Sequence, residues 1–251
     1  MSSIKRPTTK HLYKYGSFVN LDRLRQIMLE DTIYFPTSTQ LNDPTESLPV
    51  FADHTLDEII DYLCEQYTVD NPNASTEELN AIRINADKFG IEVLMKEMQR
   101  LFYAEMKNRY GILSLSKRED SMPLWAYYAD NHTGYCLEFL NEREFATGFE
   151  VLYQKKLPFK ISSNIDSNQA DFLFTKHPDW ASEEEVRILI KPPGSKNFSP
   201  DLLVSVRLGK DVKPENMELV LDWASKRTLP IKVLKAVFNS STHKVEYLTV
   251  D

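Results

Sequence analysis

The sequence predicts an α+β fold with a mixed, mostly antiparallel sheet core and a helical insertion over about residues 55–109. Three observations lead there. β-rich runs dominate from Gly111 onward, helical periodicity is concentrated between Thr55 and Arg109, and no internal repeat is present. Strands and helices do not alternate regularly, which argues against a doubly wound parallel sheet.

Leu12 to Tyr15 opens the chain as a strand. Asn20 is placed to cap a helix that carries Leu21, Leu24, Ile27 and Met28 at helical spacing. Thr32 to Phe35 reads as a strand ended by Pro36, and Asn42-Asp43-Pro44 as a turn or cap. Thr55 can cap a helix with Leu56, Ile59, Ile60 and Leu63 on its apolar side. After the Asn71-Pro72-Asn73 loop, Ser75 and Glu78 form a capping-box pattern. The helical region beyond it runs towards Arg109 with a break at Gly90. Its stripe of Leu94, Met95, Met98, Leu101 and Phe102 has the spacing of a core face. Strands are then expected at Ile112 to Leu115, Tyr135 to Phe139, Val151 to Tyr153, Val186 to Ile190, Leu202 to Arg207, Lys232 to Val237 and Val245 to Thr249. Short helical segments fall at Ala170 to Phe174 and Glu215 to Ala224.

Bulk properties narrow the function classes. The chain has 251 residues, 42% hydrophobic and 27% charged, which is globular composition. No Gly/Ser/Pro linker or charge block marks a boundary, so a single domain over 1–251 is expected. No apolar run is long enough to span a bilayer, and the polar, basic Met1 to Lys10 does not read as a secretory signal. Cys64 and Cys136 lie far apart with no partner motif. The expected setting is cytoplasmic and reducing, with no membrane partner. A formal net charge of -7 argues against a broad phosphate-binding surface, which needs Lys and Arg, but not against a local basic pocket.

Familiar motifs are missing: there is no GxGxxG, no P-loop and no GxSxG elbow. The histidines (His11, His54, His132, His177 and His243) do not pair at metal-ligand spacing, so no metal is expected.

The strongest local pattern is Trp180-Ala181-Ser182-Glu183-Glu184-Glu185-Val186-Arg187-Ile188-Leu189-Ile190. On a strand, Val186, Ile188 and Ile190 share an apolar face, and Glu183, Glu185 and Arg187 share the other. Such a row is either a solvated ion-pair ladder or the wall of a cleft whose carboxylates bind a ribose hydroxyl or stabilise a developing cation. The second pattern, Trp125 to Gly134, places Trp125, Tyr127, Tyr128 and His132 close together. It reads either as an aromatic turn packed into the core or as a surface for a planar heterocycle. On the first strand Lys14 faces away from Tyr13 and Tyr15. Ser114 and Ser116 share a face on a later one.

In this order the segments resemble a bacterial family of unknown function, family 2971. The resemblance runs through Leu12-Tyr13-Lys14-Tyr15, Ile33-Tyr34-Phe35, Asn42-Asp43-Pro44 and Gly111 to Ser116. It continues with Trp125, Tyr128, Ala129, His132 and Gly134, then Trp180, Glu183, Glu185 and Arg187. Gly16 stands where an Arg is expected, Leu41 where a Phe usually precedes Asn-Asp-Pro, and Ser182 where an aromatic is common.

The layout is also similar, more distantly, to ADP-ribosyltransferase folds. These carry a basic or polar residue on the first strand, a Ser or Tyr on a middle one and Glu-x-Glu on a later one. That resemblance implies an NAD-dependent transferase of toxin or phage-defence type with NAD as co-substrate. Its acceptor would be a protein or nucleic acid, and an antitoxin or other partner protein would accompany it. Glu185 and Glu183 would be catalytic. Lys14, Tyr15, Ser114, Ser116, Trp125, Tyr128, His132 and Arg187 would contact the cofactor. The alternative is a non-catalytic module binding a nucleotide or a partner, and fold analogy does not choose between them.

Overall fold

The computed structural model describes residues 4–42, 50–86, 88–155, 158–159, 171–242 and 244–250. Strand β1 (His11–Gly16) leads into α1 (Leu21–Glu30). The Asn20 side chain accepts a hydrogen bond from the Arg23 amide at 3.3 Å, as its position predicts. The helix ends where Asp31 turns left-handed at φ 46°. Leu24, Ile27 and Met28 form its buried stripe, each adding roughly 1.5–3 kcal/mol through removal of apolar surface from water. Strands β2 (Thr32–Phe35) and β3 (Val50–Phe51) follow, while Asp43 and Pro44 lie outside the described residues.

Three helices make the insertion: α2 (Leu56–Asp70), α3 (Thr76–Ala86) and α4 (Ile91–Lys107). Reciprocal capping boxes open the first two. The Thr55 and Ser75 amides donate to Glu58 and Glu78 carboxylates, and the Glu58 and Glu78 amides donate back to the two hydroxyls. Gly90 is the N-cap of α4, where the sequence places a break. Ile59, Ile60, Tyr62, Leu94, Met98 and Phe102 pack together, so this methionine-bearing stripe is core.

The remaining elements are β4 (Gly111–Ser116), α5 (Met122–Tyr127), β5 (Tyr135–Leu140), β6 (Phe149–Glu150), β7 (Leu152–Tyr153), β8 (Pro158–Phe159), β9 (Thr175–Lys176), β10 (Glu185–Ile190), β11 (Gly194–Asn197), β12 (Leu203–Leu208), α6 (Pro214–Ser225), β13 (Lys232–Asn239) and β14 (Lys244–Thr249). The expected strand at Val151 to Tyr153 is divided. Val151 sits between β6 and β7, and its amide donates to the Glu185 carbonyl at 2.9 Å. The segment expected to be helical near Ala170 is a 3-10 turn, Asp171–Phe174, with Ala170 outside the described residues.

An eight-stranded sheet with order β14-β13-β12-β5-β1-β4-β10-β6 forms the centre. Its pairings are antiparallel except β12 with β13, so the architecture is α+β with a mixed, mostly antiparallel sheet. One face carries Leu12, Leu113, Leu115, Leu137, Phe139, Val186, Ile188 and Val206 against Leu24, Met28, Val220 and Trp223 of α1 and α6. The opposite face holds Tyr13, Tyr15 and Cys136 against Leu124, Trp125 and Ala129 in and just after α5.

The middle of the sheet is poorly joined. β1 makes six pairs with β5 and β10 makes six with β4, whereas β1 and β4 share the single pair Tyr13–Ser116. Beyond it, where Lys14–Leu115 and Tyr15–Ser114 would continue an antiparallel ladder, the strands part. That opening positions the site.

Candidate functional site

A cavity of about 180 Å³ occupies this opening. β1 supplies Tyr13, Lys14 and Tyr15; β4 supplies Ile112, Ser114, Leu115 and Ser116. Pro36, Gln40, Leu41 and Asn42 close one side after β2. Leu124, Tyr128, Lys176, Glu183 and Glu185 close the other. Among the residues singled out by sequence, the structure brings Lys14, Tyr15, Ser114, Ser116, Tyr128, Glu183 and Glu185 to one cavity. Trp125, His132 and Arg187 do not line it.

The carboxylates differ from a simple strand row. Pro178–Glu183 is a 3-10 helix and β10 starts only at Glu185, so Glu183 is not on the strand. Glu184 is left-handed at φ 44°. This turn sends its carboxylate out towards Lys117 and Arg118 (3.8 and 3.5 Å), while Glu183 and Glu185 stay inside. The intervening αL residue achieves what strict alternation was expected to do.

Nor is the row a solvated ladder. Arg187 is 0% exposed and grips Glu185 with both Nε and Nη2, at 2.8 and 3.0 Å. Its Nη1 donates to the Leu173 carbonyl. The Lys176 ammonium bridges the two carboxylates, at 2.5 Å from Glu183 and 3.0 Å from Glu185. It also stands 5.2 Å from the Trp180 ring centre. The Tyr128 hydroxyl donates to the other Glu183 oxygen at 2.8 Å, and the Tyr153 hydroxyl accepts from the Glu185 amide at 2.6 Å. Two buried cations thus neutralise two buried anions, the condition under which burying such charges is tolerable.

Burial pushes the Glu185 carboxyl above the usual carboxylate range, opposed by the Lys176 ammonium and the Ser114 hydroxyl. Burial also works against the Lys176 ammonium, but Glu185, Tyr128 and Glu183 outweigh it and hold this lysine above its ordinary value. Lys14 goes the other way. Burial and the nearby Arg23 charge lower it to about 8, against a weaker pull from Glu185. Its ammonium donates only weakly, at 3.4 Å, to the Ser114 carbonyl, an acceptor released by the parting of β1 from β4.

The hydroxyls have different duties. Ser116 Oγ donates to the Glu183 carbonyl at 2.6 Å and accepts from the Arg118 amide at 2.9 Å, so it ties β4 to the turn before β10. The Tyr15 hydroxyl donates to the Arg118 carbonyl at 3.0 Å. Trp125 is 0% exposed and meets Tyr15 edge-on at 5.3 Å. His132 follows two other left-handed residues, Asp130 and Asn131, and rests edge-on against Phe238 at 5.0 Å. A Cβ on Gly134 would lie 2.3 Å from the Gly16 carbonyl, so this glycine is required by close chain approach. Gly16 likewise leaves room for the Tyr135 ring, 2.6 Å from where its Cβ would be.

Lys176 and Tyr153 were not legible as site residues. Lys176 belongs to β9, whose pairing with β7 is local and carries no motif. The polar face continues past Tyr13: Arg207 lies over the Tyr13 and Tyr247 rings and pairs with Glu119 at 2.7 Å and Glu138 at 3.1 Å.

Fold and site together define an α+β protein whose central sheet is split by a cleft with an ion-paired wall. Within it, residues 124–188 match a family model described as Protein of unknown function (DUF2971), a span that includes Tyr128, Lys176, Glu183, Glu185 and Arg187. No curated protein and no solved structure matches the chain. Among the described residues, no helix is long and apolar enough to cross a membrane, and no cluster of three or more His, Cys, Asp or Glu could hold a metal ion.

Proposed function

We propose that the cleft binds a nucleotide and that NAD is its co-substrate, with transfer of the ADP-ribosyl group to a protein or nucleic-acid acceptor. One observation carries this reading: Lys14, Ser114, Glu183 and Glu185, from three separate stretches of sequence, converge on a single cavity. In the proposed reaction the bond from ribose C1 to nicotinamide breaks, and nicotinamide leaves with the bonding electrons. A lone pair of the acceptor forms the new bond at C1. Glu185, held rigidly by Arg187, is positioned to stabilise the cationic sugar and hold its hydroxyl without reorganising. Glu183 takes the acceptor proton, and Tyr128 sets its hydroxyl beside it.

A second reading is favoured by a specific feature. The carboxylates of Glu183 and Glu185 already accept from Lys176, Arg187 and Tyr128. Such saturated anions suit recognition better than proton transfer, as in a nucleotide- or partner-binding module without catalysis.

Nicotinamide release from NAD, followed with protein and nucleic-acid acceptors, tests the first reading. Glu185→Gln keeps the shape of the side chain and should lower release by roughly 10²–10³-fold. Undiminished release in that variant would overturn the role of Glu185. A thermal shift with NAD but no turnover with any acceptor would favour the binding module; a ligand at about a hundred times its Kd adds roughly 2.7 kcal/mol of stability.

A further inference from the structure

We infer that Lys14 is the reactive amine of the cleft, and that the cavity can capture an aldehyde or ketone as an imine on its Nζ. The inference does not rest on NAD. Among the described residues, the carboxylates lining the cavity are held by other groups: Glu183 by Lys176 and Tyr128, Glu185 by Lys176 and Arg187. Lys14 makes no ion pair within 4.0 Å with any described carboxylate and has the Ser114 carbonyl, at 3.4 Å, as its hydrogen-bond acceptor. A carbonyl accepts from either an ammonium or a neutral amine, so this contact does not by itself fix the charged form. A carboxylate partner would.

The surroundings act in the same direction. Arg23 from α1 adds positive charge near Lys14, and Glu185 from β10 is the opposing anion. Ile112, Leu115, Leu124 and Leu41 give the cavity apolar walls that disfavour an unpaired cation. The lysine is accordingly lowered to about 8, which leaves roughly two orders of magnitude more free amine at neutral pH than an ordinary surface lysine. Lys176 is the contrast within the same cavity, since two carboxylates keep it protonated and non-nucleophilic.

In the reaction the Nζ lone pair adds to the carbonyl carbon. Both protons of the amine end on the carbonyl oxygen, which departs as water as C=N forms. Water reverses the step, and the aromatic side chains of Tyr13, Tyr15 and Tyr128 in the cavity lining suit an aromatic carbonyl compound.

The test uses the whole chain and 4-formylbenzoate as probe, with cyanoborohydride supplying hydride to fix any imine as a secondary amine. Adduct sites and rates are read by peptide mass mapping between pH 6 and 9. Lys14 should react first at pH 7, roughly tenfold or more faster than exposed lysines such as Lys88 and Lys226. Arg23→Gln, which keeps Lys14 but removes the adjacent charge, should slow the Lys14 adduct at pH 7 and shift its pH profile upward. Lys14→Met should abolish the fast adduct while melting as a folded protein. Modification of Lys14 no faster than Lys88 and Lys226 would overturn the inference. So would a Lys14 pH profile coincident with theirs. Neither result bears on nicotinamide release, so the two readings fail separately.

Discussion

Replacing Arg187 by Met tests whether the cleft wall stands on a neutralised charge cluster. Arg187 is fully buried, holds Glu185 through two hydrogen bonds and donates a third to the Leu173 carbonyl. Met fills similar space but supplies no donor. Glu185 is then left with the Ser114 hydroxyl and with Lys176, whose charge is shared with Glu183. Removing one partner of a buried pair costs about 3–5 kcal/mol, because the remaining charge stays desolvated. For a chain of this size each kcal/mol lowers Tm by about 2–4 °C, so a fall of roughly 6–20 °C is expected in a thermal melt. Removing both charges, as Glu185→Met with Arg187→Met, should recover at least half of that loss, since no orphan anion remains.

The pH dependence has a definite sign. Burial already raises Glu185, and losing Arg187 raises it further. The native carboxyl then keeps its proton at pH values where the unfolded one has lost it. The native state binds more protons, so stability falls as pH rises through that window. The deficit of Arg187→Met should therefore be small below the ordinary carboxyl range and full at pH 8. A loss under 1 kcal/mol at pH 8, or a double variant no more stable than the single, would refute the account.

Three further outcomes are expected. Lys14→Met should stabilise the protein more at pH 7 than at pH 10. Lys14 is lowered to about 8 when folded, so the native state binds fewer protons than the unfolded state between 8 and its ordinary value, and wild-type stability rises across that interval; a Tm difference equal at the two pH values would contradict this. Gly134→Ala should cost about 1–3 kcal/mol in urea unfolding, because its Cβ would fall 2.3 Å from the Gly16 carbonyl and 2.9 Å from Ala129 backbone atoms; a neutral substitution would refute the close approach. Trp125→Ala should cost roughly 3–5 kcal/mol as a core deletion, whereas Tyr128→Phe, which removes one hydrogen bond to the buried Glu183 carboxylate, should cost roughly 1.5–3 kcal/mol and also alter ligand binding, comparing melts with NAD titrations.

What the sequence determined by itself is local. Helix caps at Asn20, Thr55 and Ser75 follow from short-range hydrogen bonding, and the shared strand face of Val186, Ile188 and Ile190 follows from a period of two. The cavity-lining set of Lys14, Ser114, Tyr128 and Glu185 was visible as chemistry-bearing side chains, and only the family resemblance, not their patterns, implied that they share one site. Tertiary structure decided the rest. β1 and β4 share the single pair Tyr13–Ser116 and part beyond it, and nothing in either strand's pattern encodes that opening. Glu183 reaches the site through a left-handed turn at Glu184, which a strand reading cannot anticipate for a non-glycine residue. Lys176 enters from a two-residue strand, and Arg187 is turned from a ligand contact into a buried clamp by the carbonyl of Leu173. Charge pairing in a low-dielectric interior depends on distance in space, and that distance exists only once the chain has folded.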